Sequence, residues 1–294
     1  MVKGANMNKY EINGHEPSYL PDGEWNLVWS DEFDGTELDK SKWDFRLNFW
    51  GKESPTFSKD AFVDGKGYLH LPLVLDNGVY KSAHLQTGSL TYDIPNKRGG
   101  IWPFGKFKEP KFMHKFGYYE IRCNLPKNEG WHAGFWLQAP GIGVHPDPKY
   151  CGVEVDIMES YRQPSEGNII CGIGYGGYGE DSRWPGHFSF PVDNTDEFHT
   201  YAVDWSEDGY IFYFDSKEIG RRMAPDYPVS HVEQFILVST ECHGYHRAFC
   251  NEVAESDPSG NANIWCGEPV STLKKAVLPD EWIVDYVRVY DRIK

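Results

Sequence analysis

Three carboxylates stand close together in the segment Gly152-Val-Glu-Val-Asp-Ile-Met-Glu-Ser160: Glu154, Asp156 and Glu159. Glu154 and Asp156 are two apart, so on a strand they share one face, while Val153, Val155 and Ile157 point the opposite way, toward a core. Strict alternation sends Glu159 to the core side, where an ionised carboxylate is costly. One extra residue, a β-bulge near Ile157–Met158, returns Glu159 to the face of the other two, and bulges are frequent beside active sites. Three carboxyl groups on one face repel one another, which raises the pKa of at least one. Double-displacement hydrolysis of a glycosidic bond needs such a set. One ionised carboxylate attacks the anomeric carbon, and a second, protonated one donates to the leaving oxygen. Four ladder steps on a flat strand separate Cα atoms by about 13 Å. Long Glu side chains on a concave sheet close that gap toward the roughly 5–5.5 Å of a retaining pair. In a chain with 44 Asp and Glu residues the bare spacing also arises by chance, and an ordinary solvated strand face is the alternative.

The elements that must position these groups read as strands. Gly67–Leu73, Phe116–Arg122, Tyr201–Trp205, Tyr210–Phe214, Gln234–Ser239 and Trp282–Tyr290 are rich in β-branched and aromatic residues, and several alternate apolar with polar positions. Turn pairs punctuate them: Asp22-Gly23, Asp64-Gly65, Asn77-Gly78 and Asp208-Gly209. No long amphipathic helix is found; a short helical turn is expected at Leu38–Lys42. Many strands with few helices predict an all-β fold, a jelly-roll β-sandwich of two antiparallel sheets with the carboxylates in the middle of the concave one. Trp25–Phe33 and the last strand both read as buried β, so the ends of the sandwich are expected to pair. The expected organisation is an N-terminal extension over 1–24 and a single sandwich domain over 25–294. The stretches 93–115, 139–150, 176–197 and 242–280 are long loops, where binding specificity usually resides.

Bulk properties exclude several classes. The net charge of −15 opposes a nucleic acid partner, which needs a basic footprint to neutralise phosphates. No apolar run approaches the roughly 20 residues of a spanning helix. The N-terminus lacks the apolar region of a secretory signal, so the chain as written is expected in the cytoplasm or after signal removal. Six cysteines, Cys123, Cys151, Cys171, Cys242, Cys250 and Cys266, form no CxxC pair, which opposes a zinc ribbon. They read as small buried hydrophobes, with a disulfide among the last three as the alternative in an oxidising compartment. Aromatic residues make up 16% of the chain, including 11 Trp, more than a core alone explains.

The carboxylate segment resembles the Glu-x-Asp-x-x-Glu strand of glycoside hydrolase family 16, in its laminarinase and β-agarase branches. Trp29–Trp43 is similar to that family's N-terminal signature, Phe116–Pro126 with Gly130–Leu137 to the strand pair before the catalytic strand, and Phe198–Trp205 and Val284–Tyr290 to its later strands. The resemblance spans residues 25–292. It implies a retaining endo-acting β-glycosidase with Glu154 as nucleophile, Glu159 as general acid/base and Asp156 steering the protonation of the nucleophile. It implies a polysaccharide partner, a β-1,3-glucan or related β-glycan, and a monomer. Trp131 and Trp136 resemble the family's cleft tryptophans. Trp184 and His187, in Ser182-Arg-Trp-Pro-Gly-His187, are added as a sugar-stacking ring and a hydroxyl partner, with core packing or plain surface as the alternatives. Laminarinases commonly carry a histidine on the next strand, in a His-Tyr-Gly-Gly context, where this chain has Gly174 in Ile173-Gly-Tyr-Gly-Gly177. Many members hold structural calcium; Glu32 and Asp285 match the side-chain ligands, with a carbonyl near Gly65 as a third. An acidic pair without metal is the alternative.

Two other readings stand beside this one. Lys97, Arg98, Lys106, Lys108, Lys111 and Lys115 form a basic stretch suited to an anionic or sulfated galactan, or simply to solvent. A lectin on the same sandwich binds sugar without turnover, and a transglycosylase uses the same residues as a hydrolase.

Overall fold

A computed structural model describes residues 7–49, 52–53, 55–88, 109–160, 169–177, 181–192, 197–245 and 268–293. The strands are β1 (Met7–Tyr10), β2 (Ser18–Pro21), β3 (Trp25–Asp31), β4 (Leu69–Asp76) and β5 (Val79–Gln86). Next come β6 (Gly117–Asn124), β7 (Trp131–Gln138), β8 (Glu154–Ser160), β9 (Ile169–Gly174) and β10 (Phe188–Phe190). The last are β11 (His199–Ser206), β12 (Gly209–Phe214), β13 (Lys217–Met223), β14 (Phe235–Cys242) and β15 (Asp280–Arg292), besides short two-residue strands. Helix among the described residues is confined to two 3-10 turns, Pro148–Tyr150 and Leu273–Lys275. None is long and apolar enough to cross a membrane. The turn expected at Leu38–Lys42 is a single one, closed by the Lys42 and Trp43 amides on the Asp39 carbonyl.

The ladder runs β10-β9-β8-β7-β14-β5-β4-β15-β6-β11-β12-β13, with β3 paired to β15. These long pairings are all antiparallel. The β4–β5 hairpin carries the ladder from one layer to the other. Val79–Lys81 pair with β4, and beyond them His84–Gln86 pair with β14. The result is the jelly-roll sandwich that alternation predicts. One layer contributes Ala133, Phe135, Leu137, Val155, Ile173 and Val238 to the core; the other contributes Leu71, Ile121, Val203, Phe212, Val287 and Val289, all buried. Each sits at every second position of its strand, which leaves the alternate positions of β7, β8, β9 and β14 for the concave face.

The two chain ends pair as expected, with Asp31 opposite Val287 and Trp25 opposite Arg292. The N-terminal extension also packs. β1 and β2 form a hairpin ladder, and Ser18, wholly buried, accepts from Arg288 Nη1 at 2.9 Å and donates to Glu120 Oε1 at 2.6 Å. Of the basic stretch, Lys111 and Lys115 are described; Lys97, Arg98, Lys106 and Lys108 lie outside the described residues, as do Cys250 and Cys266. The four described cysteines are free thiols and buried.

Candidate active site

The bulge predicted in β8 is present. Against β7, Asp156 pairs with Trp136 and Met158 with Phe135, so Ile157 has no ladder partner. Against β9, Asp156 pairs with Gly172 and Glu159 with Ile170. Ile157 and Met158 are both buried in the core, so the alternation resets between them and Glu159 rejoins the face of Asp156. An oxygen of each of these two carboxylates lies within 4.8 Å of the other. Glu154 and Asp156 are buried at 8% and 3% exposure, and Glu159 is half-buried.

Burial and crowding govern the charge state of the three. Burial, and then the charge of Glu159, push Glu154 up to about 8. Burial, and then Glu159 and Glu154, hold Asp156 well above the usual carboxylate range. The neighbours differ. Gln138 Nε2 donates to Glu154 Oε2 at 3.5 Å, and the Arg46 charge also favours the Glu154 anion. Among the described residues no such cation opposes the rise at Asp156. Both carboxyls are thus raised, and Gln138 and Arg46 oppose the rise at Glu154.

The side chains behind this support come from three separate elements. Arg46, 2% exposed, donates from Nη1 to Gln138 Oε1 at 3.4 Å and lies 5.8 Å from the centroid of the Trp136 ring. Gln138 follows Trp136 by two residues on β7 and shares its face. Trp136 donates from Nε1 to Ser239 Oγ at 2.9 Å, which fixes the indole beside Asp156. His84 of β5, wholly buried, stands edge-on to Trp136 with ring centroids 6.2 Å apart. Burial, then Arg46, keeps its imidazole neutral. Sequence reasoning passed over Arg46, Gln138 and His84.

On the other flank, β9 presents Gly172 and Gly174 to the concave face, and the 182–187 loop fills the space they leave. A Cβ on Gly174 would overlap the Trp184 indole, and one on Gly172 would sit 3.1 Å from His187 Cδ2. Gly174 is the ladder partner of Glu154, and Gly172 that of Asp156. Trp184, 43% exposed, is oriented by its Nε1 donating to Ser182 Oγ at 2.7 Å. Each of Asp156, Glu159 and His187 brings a donor atom within 4.8 Å of the other two. The loop is tied to the far sheet: Arg222 Nη2 donates to the Gly186 carbonyl at 2.9 Å, and its guanidinium lies 4.1 Å from the Phe188 ring centroid. The carboxylates thus lie between two indoles, Trp136 on the β7 side and Trp184 on the β9 side.

One expectation is corrected. Trp131 does not line the cleft. It is wholly buried on the core side of β7, packed with Leu73, Tyr80 and Leu273, and its Nε1 donates to Asp280 Oδ2 at 3.1 Å. The regular β7–β14 register leaves five steps between Trp131 and Trp136, an odd number, so the two point to opposite faces. At the expected calcium site, Glu32 accepts two hydrogen bonds from the wholly buried Arg288, at 3.0 and 2.7 Å, and Asp285 accepts one from Arg122 Nη1 at 2.5 Å. A hard cation needs several oxygens turned toward it. Both Glu32 oxygens and Asp285 Oδ2 face guanidinium groups instead and do not fit a calcium ion as placed.

Residues 74–234 match the model of glycosyl hydrolases family 16, a span that includes all three carboxylates. The chain is similar to the glucan endo-1,3-beta-glucosidase A1 of Niallia circulans, 28% identical over 210 residues. That match covers 65% of this chain and 28% of the longer relative. It is also similar to a beta-glucanase of Rhodothermus marinus, 26% identical over 289 residues, 90% of this chain and 85% of the other. The catalytic domain of an endo-1,3-beta-glucanase (laminarinase) from Thermotoga petrophila RKU-1 shares the fold, with TM-score 0.61, 22% identity and coverage of 93% of this chain and 100% of that one. With the family model matched over more than half of its length, this chain belongs to glycosyl hydrolases family 16.

Proposed function

We propose that this glycoside hydrolase is a retaining, endo-acting β-glycosidase that cuts a β-1,3-glucan or a related β-glycan by double displacement. The observation that carries the reading is the bulge at Ile157–Met158, which gathers Glu154, Asp156 and Glu159 on one face and has no evident use in a plain structural strand. Glu154 is the nucleophile: it is the carboxylate that accepts from Gln138, and Gln138 and Arg46 partly offset the rise that burial and Glu159 cause. Asp156, two residues on and on the same face, steers the protonation of that nucleophile through its charge and its own raised pKa. Glu159, the least buried of the three, protonates the leaving oxygen and then takes a proton from the water that resolves the glycosyl-enzyme. Trp136 and Trp184 offer flat apolar faces on both sides of the reacting point, and sugar rings bound on both sides suit cleavage within a chain. The names of the similar glucanases support the choice of glucan.

The test is direct. Hydrolysis of laminarin, mixed-linkage glucan, agarose, porphyran and mucin-type glycans is screened, and the anomeric configuration of the first product from the best substrate is followed by NMR. Retention is expected. An inverted product overturns the assignment of Glu154, and tight binding without turnover on every glycan favours a lectin.

A further inference from the structure

We infer that Asp156, Glu159 and His187 form a binding site for one divalent transition-metal ion of the zinc type, and that an ion held there arrests the enzyme. The second half rests on Glu159 being the acid proposed above; the first half rests on geometry alone.

Each of the three residues offers one ligand atom, and the three atoms lie within 4.8 Å of one another. Around a tetrahedral zinc ion, with metal–ligand distances of roughly 2.0–2.2 Å, neighbouring ligand atoms stand roughly 3.3–3.5 Å apart. The remaining gap closes by rotation of the two less buried side chains, the exposed His187 and the half-buried Glu159.

Asp156 provides a second, separate observation. Its carboxyl is 3% exposed, faces this cluster, and makes no hydrogen bond among the described residues. Buried polar groups are normally paired, so a lone one aimed into a cluster marks a place for a partner. His187 reaches that place because Gly172 has no side chain, and the Arg222 bond to the Gly186 carbonyl fixes the loop that carries it.

One imidazole with two carboxylates suits zinc or a similar borderline ion. Calcium and magnesium take more oxygens than the cluster offers. Three protein ligands leave a fourth position for water. A metal on the Glu159 oxygen blocks the proton that oxygen must donate.

Zinc chloride is titrated into the full chain by calorimetry, with His187→Gln and Asp156→Asn alongside and circular dichroism as the folding control. Saturable binding of one ion per chain is expected, and each substitution should weaken it by at least the roughly 10-fold that loss of an outer-shell partner costs. Hydrolysis should fall with the same zinc dependence and return on adding a chelator. Absent binding, or binding that His187→Gln leaves unchanged, overturns the site. Binding lost in His187→Gln, in a chain that cuts no glycan, keeps the site and overturns the enzymatic reading. Hydrolysis that saturating zinc leaves untouched overturns the arrest and keeps that reading.

Discussion

The indole of Trp184 covers Gly174, the ladder partner of Glu154, so closely that even a methyl group on Gly174 would overlap the ring. The glycine that departs from the laminarinase pattern is thus the seat of a tryptophan from a different loop. Gly174→Ala should push the indole off the cleft floor. The expected effect is a KM raised roughly 5- to 10-fold, equivalent to about 1–1.4 kcal/mol of lost stacking, with kcat little changed. Trp184→Ala should do the same. Because both act through one contact, the double variant should be no worse than either single one, which steady-state kinetics of the three variants will check.

How far the sequence could be read follows from parity. Alternation placed Val153, Val155 and Ile157 in the core and required the bulge that β8 contains, because every residue involved lies in one short segment. The same arithmetic condemns Trp131. Five steps from Trp136 on an unbroken strand, it must face the core, and the resemblance to a pair of cleft tryptophans obscured a count that was available. Gln138, two steps after Trp136, was open to the same count. Arg46 and His84 were not. Arg46 bonds a residue 92 positions away, and His84 reaches the cleft only because β5 crosses from one layer to the other. No local pattern encodes such a contact. His187 was named from its loop, but its approach to Asp156 and Glu159 depends on Gly172 standing opposite, a fact of tertiary packing.

Crowding of carboxyl groups should be visible in stability. Glu154 is raised from 4.5 to about 8 in the folded chain, with burial the main cause. Between those two values the native state binds more protons than the unfolded one, so stability falls as pH rises through that window. Glu154→Gln removes the titration. Its melting temperature should exceed that of the wild type at pH 8 by a few degrees, and the difference should vanish near pH 4, where both states hold the proton. Asp156→Asn should behave alike, since Asp156 is raised by the same causes. Thermal melts across that pH range decide; a Glu154→Gln variant less stable than wild type at pH 8 counts against the crowding.

Glu32 should act through Arg288. This guanidinium is wholly buried, holds Glu32 through two bonds and also donates to the Glu16 carbonyl and Ser18 Oγ, so it joins the N-terminal hairpin to β15. Glu32→Gln leaves a buried cation without its counter-charge, which costs about 3–5 kcal/mol. Chemical denaturation of Glu32→Gln and wild type should show that loss equally in calcium and in chelator. A loss seen in calcium and absent in chelator would make Glu32 a metal ligand instead.

The division of labour between Glu154 and Glu159 gives the sharpest kinetic contrast. In the first step Glu154 attacks, and Glu159 gives a proton to the departing oxygen. A natural glycan departs as a sugar alkoxide and needs that proton; an activated aryl glycoside departs as a stable phenolate and does not. Glu159→Gln should therefore lose about 10²–10⁴ in rate on the glycan but form the glycosyl-enzyme on the aryl substrate at close to the normal rate. Resolving that intermediate needs a base to activate water, and the carboxamide that replaces the carboxylate cannot serve. The intermediate should accumulate as a burst of phenol, and added azide, which attacks without a base, should restore turnover. Glu154→Gln has no nucleophile for either substrate, so it should show neither burst nor rescue. Asp156→Asn should fall between the two, since it tunes Glu154 but forms no bond to the sugar. Stopped-flow release of the phenol, with and without azide, separates these outcomes. Equal losses on both substrates for Glu159→Gln, or a burst from Glu154→Gln, overturn the assignment.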